Sequence, residues 1–196
     1  MKKKDPILDN LHFDTQAIHH GLKTHAVEGT TLPPIFQSAG HYHEKAEDLS
    51  RAFAGETRDH IYMRVTNPTN QCLEERLAAL ESGKGAMVTA SGMAAINNAC
   101  MTLLRAGDEL VASASLFMTT YGLFTNIYKR YGIKAVLADP LDPQKIEAAV
   151  TDRTRFVYIE TITNPGMEIA DIKTIADIAH ARGVPLLVDN TLASPW

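Results

Sequence analysis

The chain has 196 residues, 45% of them hydrophobic and 21% charged, a balance that suits a soluble globular domain and excludes disorder as the default. A formal net charge of -4 with a pI near 6.0 offers no basic excess for nucleic acid, and the one dense charge run, Lys2 to Lys4, reads as a solvated terminus. Cys72 and Cys100 stand 28 positions apart with no CxxC partner, which excludes a disulfide framework or a cysteine zinc site and points to a reducing, cytoplasmic setting.

No apolar run reaches the roughly 18 residues of a membrane span, and Asp5, Pro6 and Asp9 follow the first lysines where an export leader would be apolar. Residues 1–68 carry histidine pairs, Pro33-Pro34 and scattered turn residues without sustained periodicity, and read as an extended arm. From Thr69 the texture changes. Leu73, Leu77 and Leu80 recur at helical spacing, and short apolar runs then alternate with amphipathic stretches through residues 69–196.

The runs are Ala86 to Ala90, Leu110 to Ala114, Ala135 to Ala138, Phe156 to Ile159 and Val184 to Val188, each the length of a buried strand. Helical stretches are expected at 93–105, 119–131, 142–150 and 172–182, with Asp108, Asp139-Pro140, Asp142-Pro143 and Gly183 marking turns. Strand-helix alternation of this kind predicts an α/β fold, a mostly parallel sheet with helices on both faces.

In such a sheet ligands sit beyond the carboxyl ends of the strands, so the polar residues after each apolar run are the ones to inspect. Ser91-Gly92-Met93 opens a helix after the first run; its free N–H groups suit an anion such as phosphate, and Ser91 suits a helix cap equally well. The segment Ser113 to Tyr121 follows the second run and could place an aromatic ring over a flat ligand, or bury it as core. Glu160 to Pro165 brings a carboxylate and the Asn164 amide to the same end, and Asn-Pro is also an ordinary turn.

Asp189-Asn190-Thr191 ends a strand whose apolar sequence reads as buried, so the carboxylate needs a partner: a protonated pyridine nitrogen, whose charge an adjacent anion sustains, or a helix end that it caps. Upstream, Tyr62 and Arg64 are two apart and project alike if extended; arginine suits phosphate, or a surface ion pair. His41-Tyr-His43 and His19-His20 have no third ligand, so no metal site is assigned. Gly83-Lys-Gly85 precedes its strand and matches neither dinucleotide nor P-loop patterns.

Seven segments in order, Phe13-Asp-Thr-Gln-Ala-Ile-His19, Thr31-Leu-Pro-Pro-Ile35, Tyr62-Met-Arg-Val-Thr-Asn-Pro-Thr69, Ser91-Gly-Met93, Ala106-Gly-Asp108, Glu160-Thr-Ile-Thr-Asn-Pro165 and Val188-Asp-Asn-Thr191, resemble the Cys/Met-metabolism family of pyridoxal-phosphate enzymes. The resemblance implies the large domain of the aspartate-aminotransferase type (fold type I), incomplete here, behind a 1–68 arm that serves a homo-oligomer. It implies pyridoxal 5'-phosphate as cofactor, with Gly92 and Met93 at its phosphate, Asp189 at the ring nitrogen and Asn164 at the phenolic oxygen. Ser91, Phe117 and Thr191 complete the set, and Tyr62 and Arg64 reach the phosphate held by a neighbouring subunit.

The implied chemistry is γ-replacement or elimination on O-acylhomoserine or a sulfur amino acid, of the cystathionine γ-synthase or sulfhydrylase kind. Methionine γ-lyase and cystathionine lyase activity is the alternative; another is a non-catalytic cofactor-binding or dimerisation remnant. Phe117-Met118 stands where the family commonly has tyrosine and glycine, which keeps the ring and removes the phenol. Thr119 replaces the cysteine typical of methionine γ-lyases. The Schiff-base lysine of the family lies downstream of Asp-Asn-Thr, so no catalytic residue is assigned and the chain alone is expected to be inactive; Lys173 precedes the aspartate strand and is not promoted to that role.

Overall fold

The computed structural model describes residues 11–22 and 29–195; the Lys2 to Lys4 run, with Asp5, Pro6, Asp9 and Trp196, lies outside the described residues. Two compact units are present, the first ending at Val88 and the second running from Thr89 to Pro195.

In the first unit, part of the segment read as extended is helical: α1 Phe13–His19 and α2 Ala46–Phe53. Helices of 7 and 8 residues complete barely two turns; α1 buries no residue and α2 buries only Ala52, although Ala46, Leu49 and Phe53 recur at helical spacing in α2. α1 packs with α3 Pro68–Leu80, and Arg76 Nε donates to the His20 carbonyl at 3.1 Å. Gly21 permits this approach: its φ is +79°, and a Cβ there would stand 2.5 Å from the Cys72 carbonyl oxygen.

α3 begins where Asn67 Oδ1 accepts from the Thr69 N–H at 2.8 Å and Pro68 occupies the first turn. The same Asn67 donates from Nδ2 to the Phe36 carbonyl at 2.9 Å, and Thr69 Oγ1 accepts the Phe36 N–H at 2.9 Å. The Asn-Pro-Thr triplet is therefore both a helix start and a tie between segments 31 to 33 positions apart.

The second unit is a four-stranded, all-parallel sheet in the order β2-β1-β3-β4, with β1 Glu109–Ser113, β2 Lys134–Ala138, β3 Thr154–Glu160 and β4 Leu186–Asp189. Its helices are α4 Gly92–Leu103, α5 Met118–Gly122, a π turn Leu123–Ile127 leading into α6 Tyr128–Arg130, α7 Pro143–Ala149 and α8 Ile172–Ala181. Leu110, Ala112, Phe156 and Tyr158 point to one face and meet Cys100, Phe124 and Tyr128 from α4 through α6. Val111, Val157 and Ile159 point to the other and meet Ile146, Ile175 and Ala179 from α7 and α8. Helices on both faces and a parallel sheet are as the alternation predicts.

Two expectations need correction. Ala86 to Ala90 is not a strand: its backbone joins no ladder among the described residues, and the Val88 N–H is taken by the Glu74 carboxylate at 3.0 Å. β4, whose apolar sequence reads as buried, lies at an edge of the described sheet with Val188 at 36% exposure, because only β3 pairs with it.

Candidate active site

From β1 the chain crosses to β2 on one side and later to β3 on the other, so the strand order reverses between β1 and β3. Connections leaving in opposite directions open a crevice beyond the carboxyl ends of those strands. A cavity of about 220 Å³ lies there, bordered by Gly92, Met93, Phe117, Asn164, Asp189 and Thr191 among the residues singled out from sequence. Glu160 joins them, and Ile96, Ile162 and Leu192 supply apolar wall. Pockets that enclose a whole drug-sized ligand run to roughly 300–1,000 Å³, so the described residues form part of an enclosure.

Ser91 is the N-cap of α4, its Oγ accepting the Ala94 N–H at 3.1 Å, and it does not border the cavity. That cap leaves Gly92 and Met93 as the first two helical residues, whose N–H groups have no acceptor within the helix. A Cβ on Gly92 would meet nothing within 4 Å, so an anion has open access to this backbone.

Asp189 ends β4, in register with Glu160 at the end of β3. Its Oδ1 accepts from the Thr191 N–H at 3.0 Å and from the Thr191 hydroxyl, and its Oδ2 accepts from the Tyr158 hydroxyl at 3.2 Å. Tyr158 is buried on the α4 face of the sheet, and burial together with the Asp189 charge pushes its phenol well above the ordinary tyrosine range, so it donates and stays neutral. Sequence inspection missed Tyr158; its signal was the two-residue spacing from Glu160, which puts both side chains on one face of β3.

Glu160 is 4% exposed, and its oxygens accept the N–H of Phe117 at 2.7 Å and of Asn164 at 3.0 Å. Burial raises its carboxyl above the ordinary glutamate value, the two N–H groups lower it, and the nearby Asp189 charge raises it further. Cys100, in the core below, has its thiol raised by burial to about 11, which keeps it protonated. Tyr62 and Arg64 lie in the first unit, with the Arg64 guanidinium 5.2 Å from the centre of the Tyr62 ring. The two segments Ala39 to His41 and Ile61 to Met63 run antiparallel there, through His41 N–H to Ile61 at 3.0 Å and Met63 N–H to Ala39 at 2.9 Å.

Free N–H groups at a helix N-terminus, a strand-end carboxylate, an amide and an aromatic residue border one cavity, a combination suited to a flat, phosphate-bearing heterocycle. The donor set suits pyridoxal phosphate in its chemistry, with free N–H groups for a phosphate and a carboxylate for a ring nitrogen. The model of the Cys/Met metabolism PLP-dependent enzyme family matches residues 14–196, and the chain belongs to that family.

Relatives include the L-methionine gamma-lyase of Porphyromonas gingivalis, 41% identical over 197 residues, covering 100% of this chain and 49% of that protein. The O-acetyl-L-homoserine sulfhydrylase of Leptospira meyeri is 36% identical over 187 residues, covering 95% of this chain and 42% of that one. A Campylobacter jejuni structure assigned as an O-acetylhomoserine (thiol)-lyase, with N'-pyridoxyl-lysine-5'-monophosphate, superposes with a TM-score of 0.91 at 31% identity, covering 95% of this chain and 46% of that one. Cystathionine gamma-lyase from Lactobacillus plantarum, complexed with L-serine, gives 0.85 at 34% identity, covering 95% and 46%. The fold is thus that of fold type I PLP enzymes. The chain spans about half the length of the curated relatives it matches. Among the described residues no helix is long and apolar enough to cross a membrane.

Proposed function

We propose that the protein carrying this chain catalyses γ-replacement or γ-elimination on O-acylhomoserine or a sulfur amino acid, with this chain forming the cofactor cradle. The observation that carries the reading is the meeting of the α4 N-terminus and Asp189 on one cavity. In this reading the Gly92 and Met93 N–H groups hold the cofactor phosphate, while Asp189 holds the ring nitrogen in its protonated form. Bound there, the cofactor supplies an electron sink for carbanion chemistry beside the substrate amino group.

Asp189 keeps acceptor capacity for that ring because its Oδ2 takes only the Tyr158 hydroxyl, while Thr191 binds Oδ1. Asn164 orients the ring through its phenolic oxygen, and Phe117 stacks on it. With phenylalanine at 117 no phenol stands at that position to move a proton, so that task falls to other groups of the complete site. Tyr62 and Arg64 would reach the phosphate of a neighbouring subunit, which makes the working form a homo-oligomer, a dimer of site pairs or a tetramer, in the cytoplasm.

A second reading, methionine γ-lyase activity, draws support from the 41% identity to such an enzyme, set against Thr119 in place of the typical cysteine. The two are separated by assaying the protein with O-acetylhomoserine plus sulfide and with methionine alone. Homocysteine from the first mixture is the expected result; methanethiol from methionine at a comparable rate selects the second reading. Absence of cofactor absorbance after incubation with pyridoxal phosphate would falsify both.

A further inference from the structure

We propose that Glu160 is a positioning residue, a clip whose two oxygens hold the loops bearing Phe117 and Asn164 against the cavity. The proposal rests on the cofactor reading above and deepens it. Glu160 ends β3 at the crevice between the oppositely directed crossovers, and its side chain is almost fully buried. One oxygen accepts the Phe117 N–H, 43 positions away in sequence, at 2.7 Å, and the other accepts the Asn164 N–H, four positions away, at 3.0 Å.

Each loop depends on this contact in its own way. Phe117 is the N-cap of α5 and its side chain caps nothing, so what fastens the start of α5 here is the bond from its own N–H to Glu160. The turn after β3 is braced internally: the Thr163 N–H donates to the Glu168 carbonyl at 2.9 Å, and Thr163 Oγ1 accepts the Glu168 N–H at 3.0 Å. The Asn164 N–H then fastens that preformed turn to the strand end.

Both partners are donors, so the clip needs an acceptor at each end. Of side chains this long only a carboxylate supplies that; the glutamine isostere would set an NH₂ group against one of the two N–H groups. The charge is spread over two backbone dipoles, and no Lys or Arg among the described residues pairs with it.

The test compares wild type, Glu160→Gln and Glu160→Asp in the protein carrying this chain. Amide hydrogen exchange is followed at Phe117 and Asn164, and affinity for pyridoxal 5'-phosphate by absorbance titration. In Glu160→Gln, exchange is expected to accelerate at the two loops while β1 and β3 stay protected, and cofactor affinity to fall on the order of 10-fold or more. Glu160→Asp, with two acceptors on a shorter stem, should recover part of both. Unchanged affinity in a folded Glu160→Gln protein overturns the proposal, as does protection lost across the whole sheet, which would make Glu160 a general structural residue. Wild type that takes up no cofactor sinks the cofactor reading instead, and the clip is then judged on loop exchange alone. If neither variant folds, wild-type amides at Phe117 and Asn164 that exchange as fast as unstructured peptide overturn it.

Discussion

The two ends of the parallel sheet hold carboxylates in opposite ways. At the amino end, Glu109 is 1% exposed and paired with Arg153 at 2.6 Å and Lys134 at 3.3 Å, while Asp108 pairs with Arg155 at 2.8 Å. The Thr151 hydroxyl and these cations hold the Glu109 carboxyl below its ordinary value, and the hydrogen bond from Arg155 does the same for Asp108. At the carboxyl end, Glu160 and Asp189 meet backbone N–H groups and hydroxyls, and no Lys or Arg among the described residues neutralises them. The carboxylates at the amino end already have their counter-ions; Asp189, held by neutral donors, has none among the described residues and is open to a cationic ligand.

The contrast breaks most sharply at Asp189. Asp189→Asn preserves shape and removes the charge, so cofactor affinity should fall about a hundredfold or more, the scale of truncating a buried charge pair, with the thermal midpoint little changed; equilibrium titration checks it. Glu109→Gln should do the reverse: a loss of about 2 kcal/mol in denaturant unfolding, typical of hydrogen bonds to a buried charge, with cofactor affinity retained.

Acid sharpens the comparison, since the two ends have opposite signs. The carboxyls of Asp108 and Glu109 are lowered by folding, so their stabilisation is complete above about pH 4, the unfolded value, and is lost as pH falls through their folded values. The Glu160 carboxyl is raised, so its contribution is present below about pH 4 and lost as pH rises through the folded value. Melting curves between about pH 3 and 7 should therefore show a shallower acid loss for Glu109→Gln than for wild type. Identical pH profiles would erase the distinction drawn between the ends.

Tyr158→Phe deletes one donor to Asp189 and should weaken cofactor binding roughly threefold to tenfold, the worth of a single hydrogen bond. The smallest effect is expected at Lys173, which is exposed on α8 and paired with Asp177 at 2.7 Å. Lys173→Ala should leave both the melting curve and the cofactor spectrum as they are; a spectral change would give that lysine a role at the site.

Phe117, Asn164 and Asp189 were legible because each follows a short apolar run, and a parallel sheet brings every such end to one side. The Asn67-Pro68-Thr69 start of α3 carries ordinary helix-start signals, a cap and a proline in sequence, although residues 67 and 68 read as the end of the extended arm. Ser91 was identified as a member of the set, yet its hydroxyl is spent on the Ala94 N–H. Tyr158 reads as an interior strand residue, and nothing in its neighbours announces that its hydroxyl ends against Asp189, 31 positions on. Helix α1 is short and buries no residue, α2 carries Ala46, Leu49 and Phe53 at helical spacing inside a segment that reads as extended, and the strand-like Ala86 to Ala90 has the right residues without a ladder to join.

The sequence by itself determined the alternation of strands and helices, the polar residue at each strand end and the family, because these depend on local periodicity and collinear motifs. The tertiary structure alone decided which strands are neighbours, that β4 is an edge, and that Glu160 spans two loops while Tyr158 backs Asp189. Strand order and side-chain pairing across tens of residues are set by how the whole unit buries its two apolar faces, and that packing has no signature in any one segment of the chain.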